Sequence, residues 1–143
     1  MKRFLLVLLG FLYSGIASAD QAVIYPFKGS FDDATFNVES AILDKGLVID
    51  HVSHTGEMLA RTGADLGATK EIYKAADIFL FCSAVLSRKM MEINPLNIAH
   101  CPYSIFVFED TNGVTIGFRN YPEGEMKEVQ ALLDSIVQIA LEE

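Results

Sequence analysis

The sequence predicts an α+β two-layer sandwich in which two long helices cover one face of a mainly antiparallel sheet. Three observations carry that expectation. Short runs rich in β-branched and aromatic residues recur at 21–27, 47–55, 76–83, 103–109 and 114–119. Two longer segments, one toward each end of the chain, repeat their apolar residues at helical spacing. Asn112-Gly113 lies between the last two runs and is the strongest short-range hairpin signal in the chain.

The elements follow in order. QAVIYPF is a short strand, and Pro26, which has no backbone N–H to donate, suits an edge position. Ser30 reads as a helix N-cap, with Asp32 and Asp33 favourable in the first turn. Phe31, Ala34, Val38, Ala41 and Ile42 share one helical face, and Gly46 supplies the stop. LVIDHVSHT is a β-branched strand. Thr55 is placed to cap a short helix from Glu57 to about Asp65, broken by Gly63 and Gly67. ADIFLFCS is a buried strand, and AVLSRKMMEIN is helical until Pro95. In the strand from Val114 to Arg119, Val114, Ile116 and Phe118 face one side, opposite Thr115, Gly117 and Arg119. The last helix begins near Gly124 and aligns Met126, Val129, Leu132, Leu133, Ile136 and Ala140. The order is β-α-β, a helical insertion, β, a second insertion, β-β and α. It makes one domain, with no internal repeat or linker.

Residues 1–19 read as a cleaved secretory signal peptide: Lys2 and Arg3, an apolar run from Phe4 to Tyr13, then Ala17-Ser18-Ala19. The apolar run is shorter than the roughly 18 residues a membrane span needs. The mature domain, 20–143, is therefore expected in the periplasm or secreted, with no membrane attachment after cleavage. Loss of Lys2 and Arg3 takes the formal charge from −8 to −10. A chain this acidic has no electrostatic footprint for nucleic acid.

Two cysteines, Cys82 and Cys101, are too few for a disulfide scaffold. If their strands are antiparallel neighbours, the end of one and the start of the other meet at one edge, within bonding range of sulfur. A bridge would close a loop of about 20 residues and contribute roughly 3 kcal/mol on the chain-entropy model. Two buried free thiols are the plain alternative. A reactive or ligand-binding thiol at Cys101 is the third, because an adjacent imidazolium such as that of His100 favours thiolate.

His51 and His54 form HxxH, but residues three apart in a strand point to opposite faces and cannot share an ion. His54 is the better candidate alone. It ends the strand, and Met58 follows within one helical turn; imidazole and thioether suit copper(I) or haem iron. Otherwise His54 bonds the turn and Met58 fills the core. In the antiparallel order His54 lies at one end of the sheet and His100-Cys101 at the other, so one subunit does not combine them. No GxSxG, phosphate loop, GxGxxG, CxxC or CxxCH motif is present.

Several of these segments resemble the domain of unknown function 302 family. The likeness rests on Phe79-Leu-Phe-Cys82 ending a strand, Asn94-Pro95 after a helix, and Cys101-Pro102 at the mouth of an aromatic strand that ends in Glu109. It covers about residues 23–141. The resemblance implies a β-α-β(4)-α fold like the TATA-binding-protein half-domain, usually paired as a homodimer, with no agreed activity. Family members commonly read Pro-Cys and then a basic residue. Here the order is His100-Cys101-Pro102-Tyr103, so no role of that basic residue carries over.

The leading functional expectation is a non-catalytic binding module, holding haem or copper through His54, with Met58, or through His100 and Cys101. The rival is a thiol–disulfide redox protein that uses Cys101 with Cys82 as resolving partner. A third reading docks the acidic surface onto a basic redox partner such as a cytochrome.

Overall fold

The computed structural model describes residues 21–142; the expected signal peptide, residues 1–19, lies outside them. Five strands form one sheet in the order β1-β5-β4-β3-β2, and every neighbouring pair is antiparallel. The strands are β1 (Ala22–Phe27), β2 (Val48–Ser53), β3 (Ala75–Cys82), β4 (Tyr103–Asp110) and β5 (Gly113–Arg119). Four helices accompany them: α1 (Phe31–Asp44), α2 (Thr55–Asp65), α3 (Ala84–Ile93) and α4 (Lys127–Glu142). A 3-10 segment, Pro95–His100, joins α3 to β4. Among the described residues, no helix is long and apolar enough to cross a membrane.

Helix α1 starts as its sequence requires. The Ser30 hydroxyl accepts from the Asp33 backbone N–H at 3.1 Å, and the Ser30 N–H donates back to the Asp33 carboxylate at 3.2 Å. This reciprocal cap satisfies donors that the first turn leaves unpaired. The buried face of α1 (Ala34, Val38, Ala41, Ile42) packs with that of α4 (Val129, Leu133, Ile136, Ala140) over the sheet. Beneath them lie Phe79, Phe81, Ile105, Val107, Ile116 and Phe118, the inward residues of the three central strands. Strand alternation sends the intervening residues to the opposite face, where Phe106 stacks on Phe108 with ring centroids 6.1 Å apart. A Cβ on Gly117 would come within 2.6 Å of the Phe106 ring, so glycine lets that ring lie across β5. The expected two-layer α+β sandwich is the observed one.

Three local expectations need correction, and Pro95, which ends α3 as expected, has a second role. Thr55 does not cap α2; it is the first helical residue, and His54 occupies the cap position without a side-chain cap bond. The His54 ring is instead engaged by Asp77. Gly63 does not break α2, which runs on to Asp65 and stops ahead of Gly67, at φ +68°. An interior glycine weakens a helix by about 1 kcal/mol without ending it. Pro95 stops α3 but also opens the next turn: Asn94 caps the 3-10 segment by accepting from the Leu96 N–H at 3.0 Å. The hairpin centre is Thr111-Asn112, with Gly113 paired to Asp110 and carrying φ +118°.

Candidate functional site: two thiols at one end of β3

Register brings the cysteines together. Phe81 pairs with Tyr103 across β3 and β4, so the next residue of β3, Cys82, leaves the sheet where Cys101 enters it. The chain reaches Cys101 through the 3-10 segment and leaves it through a cis bond to Pro102. Both cysteines are half-buried free thiols, and their side chains are within hydrogen-bonding reach of each other. Burial pushes the Cys82 thiol up, and the neighbouring Cys101 sulfur pushes it further; a hydrogen bond with the Tyr103 backbone works the other way. Cys82 is therefore held as a thiol, able to donate toward Cys101.

Helix α3 supplies the next contact. Ser83 caps it, accepting from the Leu86 N–H at 3.3 Å, and this sets Ser87 one turn on. The Cys101 thiol donates to Ser87 Oγ at 3.7 Å, and Ser87 Oγ donates to Tyr103 OH at 3.1 Å. Tyr103 is buried, and that burial pushes its hydroxyl up, so it remains a phenol. Its ring meets Tyr121 edge-on at 6.4 Å, and the His100 ring lies 5.5 Å from Tyr121. Tyr121 is pushed up to about 12, chiefly by burial. Among the described residues, Tyr121 OH and His100 Nδ1 are buried and lack a hydrogen-bond partner. An unmet buried polar atom costs about 1–3 kcal/mol, so this end of the sheet carries polar groups at a stability cost.

The other candidates lie elsewhere. His54 Nδ1 contacts Asp77 Oδ1 at 2.8 Å, with the two side chains 59% and 17% exposed. The hydrogen bond to Asp77, and then the charge of its carboxylate, raise the His54 imidazole above its ordinary value. Met58 is partly exposed, and its sulfur accepts from Thr62 Oγ1 at 3.8 Å. His51 stands exposed on β2 across from Leu80. His100, Cys101 and Cys82 thus share one end of β3, and His54 and Met58 the other. Among the described residues, no three His, Cys, Asp or Glu side chains form a group able to hold a metal ion.

Sequence reasoning missed Ser87, Tyr103 and Tyr121. Ser87 lies one turn beyond the Ser83 cap, and Tyr103 is the single phenol in β4, where it opens the apolar run that continues with Ile105 to Phe108. Both were detectable from position. Tyr121 lies in the irregular segment before α4, where no periodicity marks which way a side chain points.

Fold and site together define a small antiparallel α+β domain with a close dithiol pair at one end of its sheet. The chain belongs to the DUF302 family, the domain of unknown function DUF302, whose model matches residues 23–139. It is also similar to the crystal structure of an uncharacterized conserved DUF302 protein from Bacillus stearothermophilus. That likeness has a TM-score of 0.60 at 14% identity over 87% of this chain and 90% of the other. At that identity it shows the shared fold alone. No curated protein matches the chain.

Proposed function

We propose that this domain is a dithiol–disulfide redox module acting outside the cytoplasm, with Cys101 as the attacking sulfur and Cys82 as the resolving one. The observation that supports this is the contact between the two thiols, one at the end of β3 and the other on the segment that leads into β4. Cys101 gives up its proton to solvent and attacks one sulfur of a partner disulfide, positioned by its contact with Ser87. The partner's other sulfur leaves as thiolate and takes up a proton. Cys82 then gives up its own proton and attacks Cys101 Sγ in the mixed disulfide, which frees the partner's second thiol. The protein has lost two protons and two electrons, and the partner disulfide has become two thiols. The elevated Cys82 thiol suits the second role, since it keeps its proton until the mixed disulfide forms.

Equilibration in buffers of graded thiol-to-disulfide ratio, followed by alkylation and intact mass, tests this reading. The expected result is one two-electron transition, with both alkyl adducts lost together. Two adducts at every ratio would reject it. The closeness of the thiols also favours a second reading, in which Cys82 and Cys101 would hold copper(I) as soft thiolate ligands. Stoichiometric copper(I) uptake against a competing chelator, with no redox transition, would select that reading.

A further inference from the structure

The side chains at the thiol end close on one another. The Cys101 thiol donates to Ser87 Oγ, and Ser87 Oγ donates to Tyr103 OH. The Tyr103 ring meets Tyr121, and Tyr121 lies beside His100, the residue that precedes Cys101 in the chain. Two polar atoms of this circuit are unused. Tyr121 is 2% exposed, and among the described residues its buried hydroxyl has no hydrogen-bond partner; His100 Nδ1 is buried in the same condition. Burial keeps Tyr121 a phenol. Arg119 works against this, and charge on Tyr103, Cys101 or Cys82 reinforces it, so the hydroxyl is within electrostatic reach of both sulfurs. A buried donor without an acceptor is rare and costly in a native fold. Beside two thiols, such a donor suits an acceptor that arrives from outside.

We infer that the thiol end is a peroxide site, in which Cys101 reduces hydrogen peroxide and the Tyr121 hydroxyl holds the oxidant's oxygen as it reacts. The inference rests on the dithiol reading above and names an oxidant for it. Two observations select a peroxide. The unused polar atoms are sealed from bulk solvent beside half-buried sulfurs, a setting that admits a molecule of two oxygens and shuts out a polypeptide. A phenol also donates well to oxygen and poorly to sulfur, and a cystine brings only sulfur to the reacting atoms. Cys101 gives up its proton to solvent, and its sulfur attacks one peroxide oxygen. The O–O bond breaks, and the Tyr121 hydroxyl donates to the departing oxygen as negative charge grows there. That oxygen takes a proton from solvent and leaves as water, and Cys101 is now a sulfenic acid. Cys82 attacks the Cys101 sulfur, the S–O bond breaks, and the hydroxyl leaves with the Cys82 proton as a second water. Two thiols have lost two electrons and two protons, and hydrogen peroxide has become two waters. An external dithiol returns the bridge to two thiols by exchange.

The test measures second-order oxidation rates of the full mature chain with hydrogen peroxide and, separately, with oxidised glutathione. The wild type is expected to react with peroxide at least about tenfold faster than free cysteine at the same pH. Tyr121→Phe is expected to lose about tenfold with peroxide and to change under about twofold with glutathione. Its urea midpoint holds or rises, because phenylalanine keeps the ring and removes a hydroxyl that had no partner. Cys82→Ser, lacking the resolving sulfur, is expected to gain one oxygen on Cys101 by intact mass. A peroxide rate no faster than that of free cysteine, or equal losses with both oxidants, would overturn the peroxide site. So would Cys82→Ser without the added oxygen. An unchanged peroxide rate in Tyr121→Phe would overturn it too, and a lowered urea midpoint would then assign the hydroxyl to a buried water. A wild-type protein oxidised by neither reagent would instead reject the dithiol reading itself.

Discussion

At one end of β3, Asp77 holds His54 in an ion pair open to solvent; at the other, Cys82 meets Cys101 under Ser87 and Tyr103, beside two buried polar atoms with no partner. Both ends join polar side chains from different elements, yet the settings differ in what they demand. Near solvent, water replaces a lost partner at little cost. In the interior a lost partner leaves a desolvated group behind, and the cost falls on stability. Perturbing the thiol end therefore alters folding and the proposed chemistry together, whereas perturbing the His54 end alters a local titration.

Substitution orders these effects. Tyr103→Ala removes a buried ring and the hydroxyl that accepts the Ser87 hydrogen bond. A loss of about 3–5 kcal/mol is expected in urea denaturation; a loss under about 1 kcal/mol would mean that this end is not a packed unit. Asn97→Ala is next. Its buried side chain donates to the Met90 carbonyl at 2.8 Å and pins the 3-10 segment to α3, so about 1–3 kcal/mol is expected in the same measurement. The smallest effect belongs to Asp77→Asn. The expected outcome is a denaturation midpoint that moves less than in either variant above and a His54 titration, followed by NMR, that falls back toward the ordinary histidine value. The sign follows from the raised imidazole. The pair's contribution is complete below the unfolded histidine pKa of about 6.5 and is lost as pH rises through the higher folded value. A drop in stability in this variant at pH 5 as large as that of Asn97→Ala would erase the contrast between the two ends.

These contrasts were partly legible in the sequence. Period-two and period-3.6 patterns marked the sheet and the two covering helices because each element has one buried face, and burial is what writes periodicity into a chain. The meeting of Cys82 and Cys101 also followed from reading their strands as antiparallel neighbours, since that arrangement alone puts the end of one beside the start of the other. The hydroxyls around them did not follow. Ser87 is placed by the exact turn of α3, and Tyr121 by an irregular segment whose path depends on what it packs against. The His54–Asp77 contact was equally hidden, because it joins side chains 23 positions apart across a strand register interrupted between Ile49 and His51.

That interruption has a further consequence. β1 and β2 are the two outer strands, and each spoils its own free border: β1 carries Pro26, which offers no N–H, and β2 carries the irregularity at Asp50. A foreign strand seeking to extend the sheet would meet a missing donor on one side and a broken ladder on the other. The sheet is thereby guarded against fibril-like growth at its borders. Its associations are left to side-chain contacts across its faces and at the thiol end.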